Sequence, residues 1–234
     1  MKQSSLVVQY LIFSIISILL LFLVIFFKIT SENTIEPSDR LIIGIIFIIS
    51  CLIGISLATN PGWIKRKIRG AIQDFNKKNN KKQARKRIGH HPDCDRFRSH
   101  IIKIKENVYC AGCLGLAIGC LISIILMTVY LAFSLNYSSN IFLYLTILGF
   151  LIIGIVFIEV LINNRNILIH IISNSLLILS FLIILIGITE LTRSISFGII
   201  CIFLTFLWMD TRIQLSKWHH SIICKKCDKS CKMY

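Results

Sequence analysis

The chain has 234 residues, of which 55% are hydrophobic and only 16% charged, and its mean hydropathy is +0.76. A water-soluble domain is about one quarter charged, so this composition excludes one and assigns the chain to a bilayer. The formal charge of +15, from 26 Lys and Arg against 11 Asp and Glu, is gathered in a few segments whose positions set topology.

A helix crosses the hydrocarbon core in roughly 20 residues, because the core is about 30 Å thick and a helix rises about 1.5 Å per residue. Six stretches reach that length. They are Leu6 to Phe27, Leu41 to Ala58, Ala111 to Leu135, Ile141 to Ile162, Ile167 to Ile188 and Ile195 to Met209, the last short unless it continues through Ile213 and Leu215. Runs this long without alternation fit neither a soluble sheet nor an outer-membrane barrel, so the predicted fold is all-α and polytopic. Lys2 precedes the first span, but its apolar run is longer than that of a cleaved signal peptide and no A-x-A site follows, which predicts a retained signal anchor.

These spans divide the chain into a two-helix hairpin (1–62), a basic loop (63–110), a four-helix bundle (111–213) and a tail (214–234). The basic loop carries Lys and Arg from Lys65 to Lys105, opposed only by Asp74, Asp93, Asp95 and Glu106. The link TSENTIEPSDR is net acidic, NYSSN is uncharged, and the tail is again basic through Lys217, Lys225, Lys226, Lys229 and Lys232. The positive-inside rule then predicts a cell-membrane protein with both termini in the cytoplasm.

Within the loop, Asn60 and Pro61 offer a helix start, and Ile64, Ile68, Ala71, Ile72 and Phe75 recur at helical spacing, the pattern of an interfacial amphipathic helix. The basic pairs Lys77-Lys78, Lys81-Lys82 and Arg85-Lys86 follow at four-residue intervals. Anionic lipid headgroups are the expected ligand of Lys65 to Arg87. Nucleic acid is not expected, since no aromatic between Asn76 and Arg87 could stack on a base.

Nine cysteines are present. Cys51, Cys120 and Cys201 lie within spans and read as small apolar residues. The other six form two rhyming modules. His90, His91 and Cys94 precede Cys110 and Cys113 in the loop, while His219 and His220 precede Cys224, Cys227 and Cys231 in the tail. On the reducing side of a membrane, clustered thiols hold metal more often than they form disulfides, and C-x-x-C offers two sulfurs to one tetrahedral zinc. Two arrangements satisfy the spacing. Each module could hold its own ion, or Cys110 and Cys113 could join Cys224 and Cys227 in one ribbon-like site tying loop to tail, so one or two zinc ions are expected. A redox role for Cys110 and Cys113 is the competing reading, because a helix start lowers a thiol pKa.

Ionisable groups inside spans are costly and suggest function. Glu159 near the end of the fourth span and His170 near the start of the fifth flank the turn NNRN at similar depth, which predicts that they pair. Asn163 and Asn174 each follow one of them by four residues and so share its helix face, and Asp210 and Arg212 end the sixth span. The group reads either as a polar network fixing helix packing or as a membrane-interface acid–base pair with Arg165 or Arg212 holding a headgroup phosphate. No spans broken by paired Gly or Pro mark a transporter's midplane site.

The segment HHPDCDRFRSHIIKIKENVYCAGCLGL resembles a family of small polytopic membrane proteins of prokaryotes with a histidine block, an R-S segment and C-x-x-C-x-G opening a helix. The matching residues are His90, His91, Arg98, Ser99, Cys110, Cys113 and Gly115. Gly112 departs from the commoner bacterial pattern, which has a basic residue there, and HHSIICKKC looks like an archaeal-type elaboration. The resemblance carries no activity.

Together these features predict six transmembrane helices with a small Cys/His zinc-binding cytoplasmic cap. Its expected role is structural or regulatory, in docking a protein partner or anionic lipid. The alternatives are an enzyme acting on a lipid-linked substrate through Glu159 and His170, and a thiol redox protein.

Overall fold

In lipid a spanning segment must satisfy its own backbone hydrogen bonds, and here each apolar run does so as a helix. The computed structural model describes residues 2–28, 35–59, 87–88, 101–104, 107–133, 138–162 and 166–225. The helices are α1 (Lys2–Lys28), α2 (Pro37–Thr59), α3 (Ala111–Ala132), α4 (Ser139–Leu161), α5 (Ile167–Thr192) and α6 (Ile195–Lys225). All six are long and apolar enough to cross a membrane, so the chain is a multi-pass helical membrane protein. Phe13, Phe26, Ile125, Ile155 and Phe203 stand outward, as a lipid-facing surface requires.

Local signals set the helix ends. Pro37 occupies the first position of α2, where its missing N–H costs nothing. Asn166 caps α5, its side chain accepting from the Leu168 N–H at 3.0 Å. At the far end Arg193 takes a left-handed conformation at φ 48°, and its N–H donates to the Thr189 carbonyl at 2.9 Å. The chain thereby enters α6 within two residues.

The axis of the bundle is α5. In its most apolar stretch 67% of residues are buried, against 22 to 39% in the other helices, and α3, α4 and α6 pack around it. The approach of α3 depends on glycine. A Cβ at Gly119 would stand 2.8 Å from Ser175 Cα, a Cβ at Gly115 would strike the Ile171 carbonyl, and Ser175 Oγ donates to the Gly115 carbonyl at 2.8 Å. Small residues that let two backbones touch replace the hydrophobic drive that is missing in lipid. Gly119→Ala is therefore expected to destabilise the bundle by about 1 to 3 kcal/mol, while Gly154→Ala, with nothing within 4 Å, should leave it unchanged or slightly firmer. Denaturant unfolding in mixed micelles compares the two.

Of the first two helices, α1 packs chiefly along α6 and α2 along α3. Ser14 and Ser17 of α1 are buried, with Ser14 Oγ 2.7 Å from Thr211 Oγ1 and Trp208 Nε1 donating to Ser17 Oγ at 2.9 Å. The Trp208 indole itself lies edge-on to Phe150. These contacts align the N-terminal half of α1 with the C-terminal half of α6. Both described ends of the chain thus lie at one end of the bundle, with the end of α2 and the start of α3.

Two features depart from the sequence expectation. The last helix runs unbroken through position 214, so His219 and His220 sit on its final turns. A small sheet precedes α3: β1 (Arg87–Ile88), β2 (Ile101–Ile104) and β3 (Asn107–Cys110), in the order β1-β3-β2. β2 and β3 are antiparallel, with Ile101 opposite Cys110, and β1 runs parallel to β3. Nothing in the periodicity announces strands this short. The expected amphipathic helix at Ile64 to Phe75 and the basic pairs up to Lys86 lie outside the described residues.

Candidate functional site at the knuckle end of the bundle

The second strand of the hairpin delivers Cys110 directly onto the start of α3, where Cys110 is the N-cap residue and Cys113 falls in the first turn. Cys110 is buried and its thiol hydrogen-bonds that of Cys113. Its sulfur also faces the backbone N–H groups of Gly112 and Cys113, without closing a short capping bond. The bond to Cys113 and the burial together push the Cys110 thiol up from its ordinary pKa, and the two N–H groups offset this only in part. A thiolate there needs a cation beside it.

Behind the knuckle, α5 begins with the polar run His170, Ser173 and Asn174. Glu159, in the last turns of α4, meets it across the α4–α5 turn. His170 Nδ1 lies 3.0 Å from Glu159 Oε1, and Ser173 Oγ donates to Glu159 Oε2 at 3.0 Å. From α6 the Arg212 guanidinium comes within 3.9 Å of the same Oε2. The side chains of Glu159, His170 and Arg212 are each only 12% exposed, so one carboxylate serves three partners in a largely dry setting. The predicted Glu159 and His170 pair is thus formed, and Arg212 joins it. Arg165 and Asn163 lie outside the described residues. Asp210 does not enter the cluster through its described bonds: Gln214 Nε2 donates to it at 3.3 Å and Tyr10 bonds it from α1.

Knuckle and cluster share an edge. A Cβ at Gly112 would lie 3.4 Å from Asn174 Nδ2 and 3.8 Å from Cys110 Sγ.

Of the ten residues expected to hold zinc, His90, His91, Cys94, Cys227 and Cys231 lie outside the described residues, and of Cys224 only the backbone is described. Cys110 and Cys113 are adjacent, and His219 and His220 are half-buried near the end of α6. Among the described residues no three His, Cys, Asp or Glu converge on a point that could hold a metal. Neither a complete four-ligand module nor the loop-to-tail ribbon is assembled within the described part of the chain. Cys51 and Cys120 are both buried, as expected of small apolar residues, and their thiols meet across the α2–α3 contact.

A second polar cluster, unforeseen from sequence, closes the opposite end of the bundle. Arg40 on α2 bonds Glu190 on α5 at 2.8 Å, Tyr130 on α3 donates its hydroxyl to the same Oε1 at 2.5 Å, and Arg40 lies 5.2 Å from the centre of the Tyr130 ring. The signal was available: Arg40 opens one span and Glu190 ends another on the same membrane face, and oppositely charged groups at equal depth pair. Removing one partner strands a buried charge, so Glu190→Leu is expected to cost about 3 to 5 kcal/mol, and Arg40→Met combined with it should recover most of that loss. Unfolding of the single and double variants measures both.

No family model matches the chain, and no curated protein or solved structure matches it either.

Proposed function

We propose that the chain is a cell-membrane protein whose zinc-stabilised cytoplasmic cap has a structural or regulatory role. The cap would be built from the basic loop and the tail, and would dock a protein partner or the anionic headgroups that Lys65 to Arg87 attract. The supporting observation is the seating of the C-x-x-C turn: a hairpin leads into it, two sulfurs adjoin, and backbone N–H groups face the Cys110 sulfur. These residues fit zinc, which takes thiolates steadied by such N–H groups. Cys110 and Cys113 would supply two ligands, with the remainder from His90, His91 and Cys94 or from Cys224 and Cys227. Where each module holds its own ion, His219 or His220 would join Cys224, Cys227 and Cys231 in a tail site. The bound ion would supply a rigid tetrahedral node and the positive charge that lets Cys110 ionise. Orientation follows the charge of the loop and tail. Metal analysis of protein purified without chelator or oxidant tests the cap, and a metal-free protein would sink it.

A second reading is favoured by the Glu159 to His170 contact of 3.0 Å. A carboxylate that orients an imidazole through Nδ1 leaves the other ring nitrogen as the proton-transferring atom, which suits a membrane-interface enzyme acting on a lipid-linked substrate. Loss of a phenotype on alanine substitution at Glu159 or His170, with folding intact, would favour this reading. If only cysteine substitutions matter and they cause degradation, the scaffold reading holds.

A further inference from the structure

Cys51 on α2 and Cys120 on α3 play no part in either reading of the site, yet packing holds their sulfurs together. Each residue is 4% exposed, and the two thiols hydrogen-bond across the seam between the helices. A separate contact fixes Cys120: a Cβ at Gly54, one turn beyond Cys51 on the same side of α2, would lie 3.3 Å from Cys120 Sγ. On its other side Gly119 lays α3 directly on α5, so α3 is held between two helices at this level. Separating the sulfurs would require unseating α3.

Two thiols in contact have a reaction open to them that a lone buried thiol lacks, and depth selects the reagent. Both cysteines lie in the middle third of their helices, out of reach of glutathione and other water-soluble thiol reagents. Leu52, Ile53 and Leu121, their neighbours in the chain, stand outward on the lipid-facing surface. We propose that Cys51 and Cys120 are a lipid-phase modification site, oxidised to a disulfide by a membrane quinone. Two S–H bonds break and one S–S bond forms, while two electrons and two protons pass to the quinone, which leaves as the quinol. The hydrogen bond between the thiols helps the first proton leave, since one S–H steadies the charge growing on the other sulfur. The disulfide locks α2 on α3 and closes the chain between positions 51 and 120, which contains the whole basic loop together with Cys110 and Cys113.

The test uses the full chain, reduced with a phosphine, returned to phosphatidylcholine nanodiscs and incubated with decylubiquinone or, separately, with oxidised glutathione. Non-reducing peptide mapping by mass spectrometry should find Cys51 joined to Cys120 in the quinone sample and not in the glutathione sample. The denaturant midpoint of the quinone-treated protein should rise above that of the reduced protein. Cys51→Ala and Cys120→Ala should each lower the yield of quinol by one per chain. The mapping is made on the unsubstituted chain, so a variant that fails to fold does not blunt it. If Cys51 and Cys120 are both still alkylated by a maleimide when the quinone-treated protein is unfolded, the proposal is overturned. A bond formed equally well by oxidised glutathione overturns the lipid-phase source.

Discussion

Replacing Glu159 by alanine is expected to be among the most damaging single changes in this bundle, costing about 3 to 5 kcal/mol, because it strands the buried Arg212 charge. The same change removes the acceptor of Ser173 and the carboxylate beside His170. Glu159→Gln should cost less, since an amide oxygen still accepts from Ser173. Adding Arg212→Met to Glu159→Ala should recover a large part of the loss, because an apolar side chain of similar length replaces the stranded guanidinium. Unfolding midpoints of the four proteins check the pattern. A Glu159→Ala variant as stable as the parent would mean that the contacts at 3.0 and 3.9 Å carry no net energy. The conservative Gln variant then separates the two functional readings, since it keeps most of the packing while removing the carboxylate charge beside the His170 imidazole.

The second large effect is expected at the cysteines. Protein purified without chelator should carry one or two equivalents of zinc, and Cys113→Ser should remove one, because a hydroxyl is a far poorer zinc ligand than a thiolate. The count divides the two ligand arrangements. If each module holds its own ion, Cys113→Ser leaves one equivalent in place and Cys227→Ser removes the other. If the loop and tail share one ribbon-like site, either substitution removes all the metal. In both cases a binding free energy of about 10 kcal/mol or more would leave the local fold, so the hairpin at β2 and β3 should lose protease resistance with it. Strong zinc binding that survives serine at both Cys110 and Cys113 would show that the knuckle is not a ligand pair.

How much of this was readable in advance differs from one residue to the next. The Glu159 and His170 pair follows from counting outward from the turn between two spans. Ser173 follows from His170 by helical spacing, once His170 is placed on an inward face. Arg212 could be set at the right depth but not at the right azimuth. The Arg40, Tyr130 and Glu190 cluster needed only the alternation of span ends, and charge at two ends of one face was its signal. The strands had no such signal, since ten residues in runs of two to four are too short to display a period. Nor could Gly112 be recognised as a contact to Asn174, because a glycine inside C-x-x-C is equally well explained by the turn itself.

Length, hydropathy and charge are properties of the chain, and they alone determined six helices and their order. The rotation of each helix about its axis was decided only by tertiary packing. A span that is apolar on every side carries no moment to say which face turns inward. That choice falls to a few close contacts, of which Gly115 and Gly119 against α5 are the clearest. Seating α3 there is what brings the C-x-x-C turn against Asn174.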